Sequence, residues 1–158
     1  MMADNPYIQR NNPLVFAQYT RENLELIESL ISNQATFHPV TQLINSLLGL
    51  LVFLKEKGLD SEVADLSVDD LAEKGWPKLK MSGETCKSLV RLVYHLRNVT
   101  AHGHLTFSSD SHKLSEVTIT VEDFKPKQSI AYWRAQFNAA QLRELCFRFI
   151  ALLEQKPV

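Results

Sequence analysis

The side chains best suited to chemistry lie in one short segment, HLRNVTAHG at residues 95–103. The guanidinium of Arg97 is a permanent cation whose donors match the oxygen atoms of a phosphate. The imidazole of His102 can accept and donate protons near neutral pH. With the amide of Asn98 beside them, these groups have the chemistry needed to cleave an RNA phosphodiester without a metal ion.

Spacing places several of these polar groups on one side of a predicted helix. Arg91, His95, Asn98 and His102 are separated by four, three and four residues, so they share a stripe at about 100° per residue. Arg91 and His95 extend the strip and are candidate ligands of RNA phosphates. A solvated helix face explains the same two residues equally well.

Arg97 is not part of that strip. On an ideal helix it lies roughly 140° from His102. The two side chains therefore reach one phosphate only if the helix unwinds near Gly103, or if a second copy of the chain faces the first. Each residue also has a simpler explanation, since His102 could cap a helix C-terminus and Arg97 could lay its stem along the core.

Other catalytic or cofactor sites are not indicated. His102 and His104 are close in sequence, but His95 and His102 lie about 10 Å apart along a helix and cannot share one ion. No cysteine or carboxylate stands at ligand spacing, and no glycine-rich nucleotide fingerprint is present. We therefore expect neither a metal nor a cofactor. Tyr132 and Trp133 could stack on a base, although packing against the last helix accounts for them as well.

The segment LRNVTAHGHL resembles the R-x4-6-H signature of the HEPN superfamily, in which a polar residue, often Asn, follows the Arg. The likeness extends over about residues 14 to 155. An apolar helix (LINSLLGLLVFL), a strand pair after the motif and a final segment (YWRAQFNAAQLRELCFRFIALLE) follow an order similar to the plasmid-borne branch of that superfamily.

The resemblance implies a helical and usually dimeric protein, and many such proteins are metal-independent endoribonucleases of toxin or defence systems. It implies catalytic roles for Arg97 and His102, with Asn98 as the intervening polar residue. The expected reaction is attack of the RNA 2'-hydroxyl on the adjacent phosphate, which leaves a 2',3'-cyclic phosphate. The expected partners are RNA and a second copy of the chain, with an antitoxin protein if the chain is a toxin.

Two other functions remain open from the sequence. A non-catalytic HEPN module could use the same strip to bind RNA or a partner protein, and a plain helical subunit could serve only dimerisation. Cleavage by the purified protein separates the first function from both of these.

Composition narrows the class of protein. The chain has 158 residues, a net charge of −1 and 45% hydrophobic residues, which favours one domain spanning residues 1–158, with residues 1–13 loosely held. A nearly neutral chain is not a general coat for nucleic acid, and no DNA partner is expected. Cys86 and Cys146 fit small buried apolar side chains, and no signal peptide or membrane span is recognised, so we expect a cytoplasmic protein without a membrane role.

Hydrophobic periodicity predicts an all-α fold, a bundle of about four main helices with a small β-hairpin before the last helix. The predicted helices begin at Thr20, Pro39, Ser82 and the capping box of Asn138 and Gln141. The first two end near Asn33 and Gly58. A short helix follows Ser67, and the hairpin pairs residues 105–107 with 117–121.

Overall fold

A computed structural model of the chain describes residues 13–31, 38–56 and 66–154. Within these ranges the chain forms five α-helices and one four-stranded sheet. The helices are α1 (Pro13–Ile31), α2 (Pro39–Glu56), α3 (Val68–Glu73), α4 (Leu89–Ala101) and α5 (Ala139–Glu154). The strands are β1 (Lys80–Gly83), β2 (Leu105–Phe107), β3 (Thr118–Phe124) and β4 (Ala131–Asn138).

The sheet is antiparallel, with the strand order β1-β4-β3-β2. Alternate residues of β3 and β4 are buried, as expected for strands with one face against the core. On β3 the buried positions are Ile119, Val121 and Asp123, and Asp123 lies opposite the buried Trp133 of β4. A carboxylate is therefore built into the inner face of this sheet.

The prediction of an all-α fold was wrong, because the sheet is a full layer with helices packed against it. The predicted hairpin is present as β2 and β3, but β4 and β1 extend it on the far side. Strand β1 is short and polar, and its partners in β4 lie fifty or more positions later in the chain. Local periodicity carries no signal for such a pairing.

Helices α1, α2 and α5 pack against one another, and α4 lies between α2 and strand β3. Two ion pairs join α1 to α5, Arg21 to Glu154 and Arg143 to Glu28. Helix α4, which carries the motif at residues 97–102, is thus packed against α2 on one side and β3 on the other. The largest fully buried side chains include Trp133, Phe149, Leu24, Leu47, Leu50, Leu51, Leu89 and Leu96.

Two predicted helix starts were wrong. Helix α1 begins at Pro13, and Thr20 lies buried within it, its hydroxyl donating to the Phe16 carbonyl at 2.8 Å. The motif helix begins at Leu89 after an N-cap at Ser88, whereas Ser82 belongs to β1. Neither residue caps a helix, because the backbone around it is already hydrogen-bonded. Thr20 lies within α1, and Ser82 pairs with β4 in the sheet.

Two other predicted caps were confirmed. The Ser67 hydroxyl accepts a hydrogen bond from the Asp70 amide at 3.0 Å, which begins α3. At the start of α5, the side chains of Asn138 and Gln141 each accept from the backbone amide of the other, at 2.8 and 2.9 Å. This reciprocal pair is a capping box, and it fixes the turn from β4 into α5.

Both cysteines are free thiols, Cys146 buried and Cys86 half-buried. Burial raises the pKa of Cys86 to about 11 and that of Cys146 to about 12. None of the helices in the described ranges is both long and apolar enough to cross a membrane. The predicted helix ends at Asn33 and Gly58 lie outside the described residues. Of residues 1–13, expected to be loosely held, residues 1–12 also lie outside them, whereas Pro13 begins α1.

Candidate functional site

The motif residue His102 stands at the C-terminal end of α4. Helical hydrogen bonding continues to its own amide, which donates to the Asn98 carbonyl at 3.0 Å. The chain then turns at Gly103, whose φ is 68°. The amides of Gly103 and His104 donate back to the carbonyls of Thr100 and Val99, at 3.3 and 2.8 Å. This is a Schellman motif, so the helix does not unwind before His102, and the imidazole is presented at an ordered and exposed position.

Arg97 lies one turn earlier and is half-buried. Its Nη1 is 3.5 Å from the side-chain oxygen of Asn98. Its Nε is buried and has no hydrogen-bond partner among the described residues. Buried donors are usually paired, so the described residues leave this guanidinium incompletely partnered.

The exposed face of α4 carries both motif residues. Tyr94, 44% exposed, and Ala101, also exposed, are seven residues apart, so they lie within roughly 20° of each other on the helix. Arg97 flanks them on one side, and His102 flanks them on the other. Helix geometry therefore sets the two motif residues of one chain on opposite borders of this surface.

The carboxylate of Asp123 organises the residues beneath this surface. Its Oδ2 lies 2.8 Å from His95 Nδ1, accepts from the Tyr132 hydroxyl at 2.9 Å, and is approached by the Asn98 amide nitrogen at 3.5 Å. The Asp123 side chain is only 4% exposed. A buried carboxylate is tolerated because hydrogen-bond donors surround it. Asn98 thus connects Arg97 to a polar network in the interior.

His95 lies in the interior and not on the surface strip. Its side chain is fully buried, and its ring stacks on that of Trp133, with centroids 4.4 Å apart and planes 7° apart. A direct contact with an RNA phosphate is incompatible with this placement. The same stacking buries Trp133, which cannot serve as a base-stacking platform. Half-buried Tyr132 donates its hydroxyl to the network instead.

The contact with Asp123 determines which ring nitrogen of His95 donates a hydrogen bond. A carboxylate can only accept, so Nδ1 carries the proton and donates to Asp123. In the neutral ring, which burial favours, Nε2 is an acceptor. It lies 3.5 Å from another acceptor, Oε2 of Glu84, and has no hydrogen-bond partner among the described residues. Burial lowers the pKa of His95 from 6.5 and outweighs the opposing effect of Asp123. Burial, followed by the bond to Asp123, raises the pKa of Tyr132.

Arg91 is held at the rim by an ion pair. Its guanidinium is 2.5 Å from the carboxylate of Glu84 and lies over the ring of Tyr94, 4.6 Å from the centroid. The hydrogen bond from Arg91 lowers the pKa of Glu84. Glu84 is positioned in turn by its backbone amide, which donates to the Tyr132 carbonyl at 2.8 Å. Arg91 is thus half-exposed but already partnered, which weakens the argument for it as a phosphate ligand.

A groove of about 660 Å³ opens beside His102. His104 and Phe124 form its aromatic side, with ring centroids 5.0 Å apart in an edge-to-face arrangement. The loop between β3 and β4 also lines it. The groove is lined by His102, His104, Phe124, Lys125, Pro126, Lys127, Gln128 and Ser129, with no carboxylate among them. Its charge is therefore opposite to that of the chain as a whole.

The sequence did not single out Asp123, Glu84 or the lysines of this loop. Asp123 was nevertheless visible, because it continues the alternation of Ile119 and Val121 onto the buried side of β3. A carboxylate in register with apolar residues is a signal of a buried polar network. Within the described ranges, no group of three or more His, Cys, Asp or Glu side chains is placed to hold a metal ion.

The buried imidazole predicts a pH dependence of stability. The unfolded chain binds a proton at His95 near pH 6.5, and the folded chain does so only at lower pH, so the free energy of unfolding must fall as the pH drops below 6.5. The contribution is at most about 1.4 kcal/mol per pH unit. We expect urea unfolding between pH 5 and 7.5 to show this slope, and His95→Gln to reduce it.

The matched control is His112→Gln, because His112 is exposed and outside the network. This change should leave the slope as in the original protein. Equal slopes for the original protein and His95→Gln would contradict the assignment. The chosen range lies above the ordinary pKa of Glu84, whose own contribution is lost only at more acidic pH.

Comparison with known proteins identifies the family of the chain, through a match that covers nearly all of its residues. No curated protein and no solved structure matches it. A family model described as HEPN pEK499 p136 matches residues 2–157. That match includes the motif and every helix and strand of the described ranges. The chain therefore belongs to the HEPN pEK499 p136 family, a plasmid-associated family of the HEPN superfamily.

Proposed function

We propose that this protein is a metal-independent endoribonuclease. Family membership supports a HEPN-type function in general. The observation that carries the finer proposal is the placement of His102, whose exposed imidazole ends an ordered helix and lines a groove without carboxylates. Arg97 supplies a permanent cation on the same exposed half of α4.

The proposed reaction needs one proton acceptor and one cation. His102 accepts the proton of an RNA 2'-hydroxyl, whose oxygen then forms a bond to the adjacent phosphorus. Arg97 stabilises the added negative charge on the phosphate oxygens. The bond from phosphorus to the 5'-oxygen breaks, and that oxygen takes up the proton that His102 carries. The products are a 2',3'-cyclic phosphate and a 5'-hydroxyl. Asn98 positions Arg97 through its side-chain oxygen.

The proposal includes a homodimer, because the two motif residues flank Tyr94 and Ala101 instead of converging. A two-fold axis through this face would set one chain's Arg97 beside the other chain's His102. The small side chain of Ala101 allows close approach of two helices, and the exposed ring of Tyr94 supplies apolar area that a second chain could bury. Each composite site would then hold a cation from one chain and an imidazole from the other.

Cleavage of RNA in the presence of EDTA tests the mechanism. We expect the purified protein to cut single-stranded RNA at an undiminished rate in EDTA, since every proposed step uses side chains of this chain. The 5' fragments should carry 2',3'-cyclic phosphates, detected by mass spectrometry. A substrate with 2'-O-methyl groups should remain intact, because its 2'-oxygen has no proton to lose.

Strict dependence on a divalent ion, or cutting of the 2'-O-methyl substrate, would contradict this mechanism. Binding of RNA without any cleavage would favour the non-catalytic module. If the protein neither binds nor cleaves RNA, a helical subunit that serves only dimerisation is the remaining function.

A further inference from the structure

The loop between β3 and β4 contains a tight turn with an unfavourable residue in it. The Gln128 amide donates to the Lys125 carbonyl at 3.0 Å, which closes a β-turn over Pro126 and Lys127. Lys127 has a φ of 63°. Proline followed by a residue with positive φ is the pattern of a type II turn, whose third position favours Gly or Asn.

Lys127 is the one non-glycine residue with positive φ in the described part of the chain. A long side chain in this conformation is strained, and such strain persists where the side chain has a use. Its local packing offers none, because Lys127 is exposed and no described carboxylate pairs with it. Neighbouring Lys125, in contrast, lies over the ring of Tyr132, 5.3 Å from the centroid.

The side chain of Lys127 stands at the groove that His102 lines. The aromatic pair of His104 and Phe124 lines the same groove. A groove lined by both lysines and aromatic rings suits a single nucleic-acid strand, whose phosphates and unstacked bases need those two kinds of contact. Because the chain is nearly neutral overall, binding must depend on such local charge.

We propose that the turn at residues 125–128 is an RNA-binding element, in which Lys127 contacts a backbone phosphate of a single strand next to the scissile bond. The inference rests on the proposed function for its choice of RNA as the ligand. It assigns Lys127 to binding and not to the chemical step. The strained backbone serves to direct this cation towards the groove.

The variant Lys127→Gly separates binding from stability. Glycine adopts the positive φ freely, so the melting temperature should stay the same or rise by a few degrees, while the phosphate contact is lost. The probe is a fluorescent single-stranded RNA with 2'-O-methyl groups throughout, which cannot be cleaved by the proposed route. We expect its Kd to rise about 3- to 10-fold, and the dependence of log Kd on log salt to fall by about 0.7.

Two further variants control for charge alone. Lys113→Ala removes another exposed lysine, which lies outside the groove and pairs with Glu116, and it should leave the Kd unchanged. Lys127→Arg keeps the cation and should bind as the original protein does. Weakened binding by Lys127→Gly alone, with full stability, supports the proposal.

The outcomes distinguish this inference from the proposed function. If Lys127→Gly binds the probe as tightly as the original protein, or if the original protein does not bind it, the RNA-binding role is wrong even when natural RNA is cleaved. If Lys127→Gly weakens binding and natural RNA is never cleaved, the binding role stands and the ribonuclease assignment fails.

Discussion

Arg97→Ala and His102→Ala are each expected to lower RNA cleavage by about 10²- to 10⁴-fold without unfolding the protein. His102 is exposed beyond the last turn of α4, and Arg97 is half-buried at its edge, so neither fills the core. Circular dichroism and the melting temperature should therefore stay close to those of the original protein. The loss should appear in kcat, because both groups act on charge that develops during the reaction.

Matched changes elsewhere test whether this loss is specific. His112→Ala removes another exposed imidazole, and Arg148→Ala removes an arginine that pairs with Glu144 on α5. Both variants should cleave at the original rate. If Arg97→Ala and His102→Ala unfold the protein, or if they cleave as well as the controls, the motif is structural and the proposed mechanism is wrong.

The two inactive variants are expected to complement each other when they are produced together. In the proposed dimer each site takes Arg97 from one chain and His102 from the other. A mixed dimer of Arg97→Ala and His102→Ala therefore contains one intact site and one doubly altered site. Random pairing makes half of the dimers mixed, so activity should return to roughly a quarter of the original value. Co-expression with two affinity tags and an RNA cleavage assay measures this: the unselected mixture should reach about a quarter, and the mixed dimers purified through both tags about half, of the original activity.

The same arrangement predicts that charge on the exposed face of α4 separates the chains. Ala101→Glu and Ala101→Lys should both lower the dimer fraction in light scattering and lower cleavage with it. Two variants of opposite charge are needed because a carboxylate alone could act by repelling RNA. No complementation, or a monomer with full activity, would show that each site is built within one chain.

Local chemistry in the sequence correctly predicted several elements of the fold. The Ser67 cap, the capping box before α5 and the pairing of β2 with β3 all depend on residues within about twenty positions of each other. Such contacts are decided by side-chain hydrogen bonds and turn length, both of which can be read directly. The family resemblance was confirmed as well, since the motif is a contiguous string.

The sheet was underestimated for the opposite reason. Trp133, Ala135 and Phe137 alternate with polar residues in β4, so a strand was readable there. Its partner β1 was not, because a short polar edge strand is stabilised only by its neighbour in the sheet. Ser88 was likewise overlooked as the N-cap of α4, since several polar residues before the helix compete for that role.

Sequence alone determined that Arg97, Asn98 and His102 share one helix end. Over five positions, the regular geometry of an α-helix fixes their relative angles and their separation along the axis. Only the tertiary structure decided which polar residues of the strip face solvent. His95 and Asn98 lie on neighbouring parts of one stripe, yet His95 is buried on Trp133 and Asn98 stays at the rim. That division arises because Asp123, on a strand more than twenty residues later, accepts a hydrogen bond from the imidazole. This hydrogen bond offsets the free-energy cost of burying a polar ring.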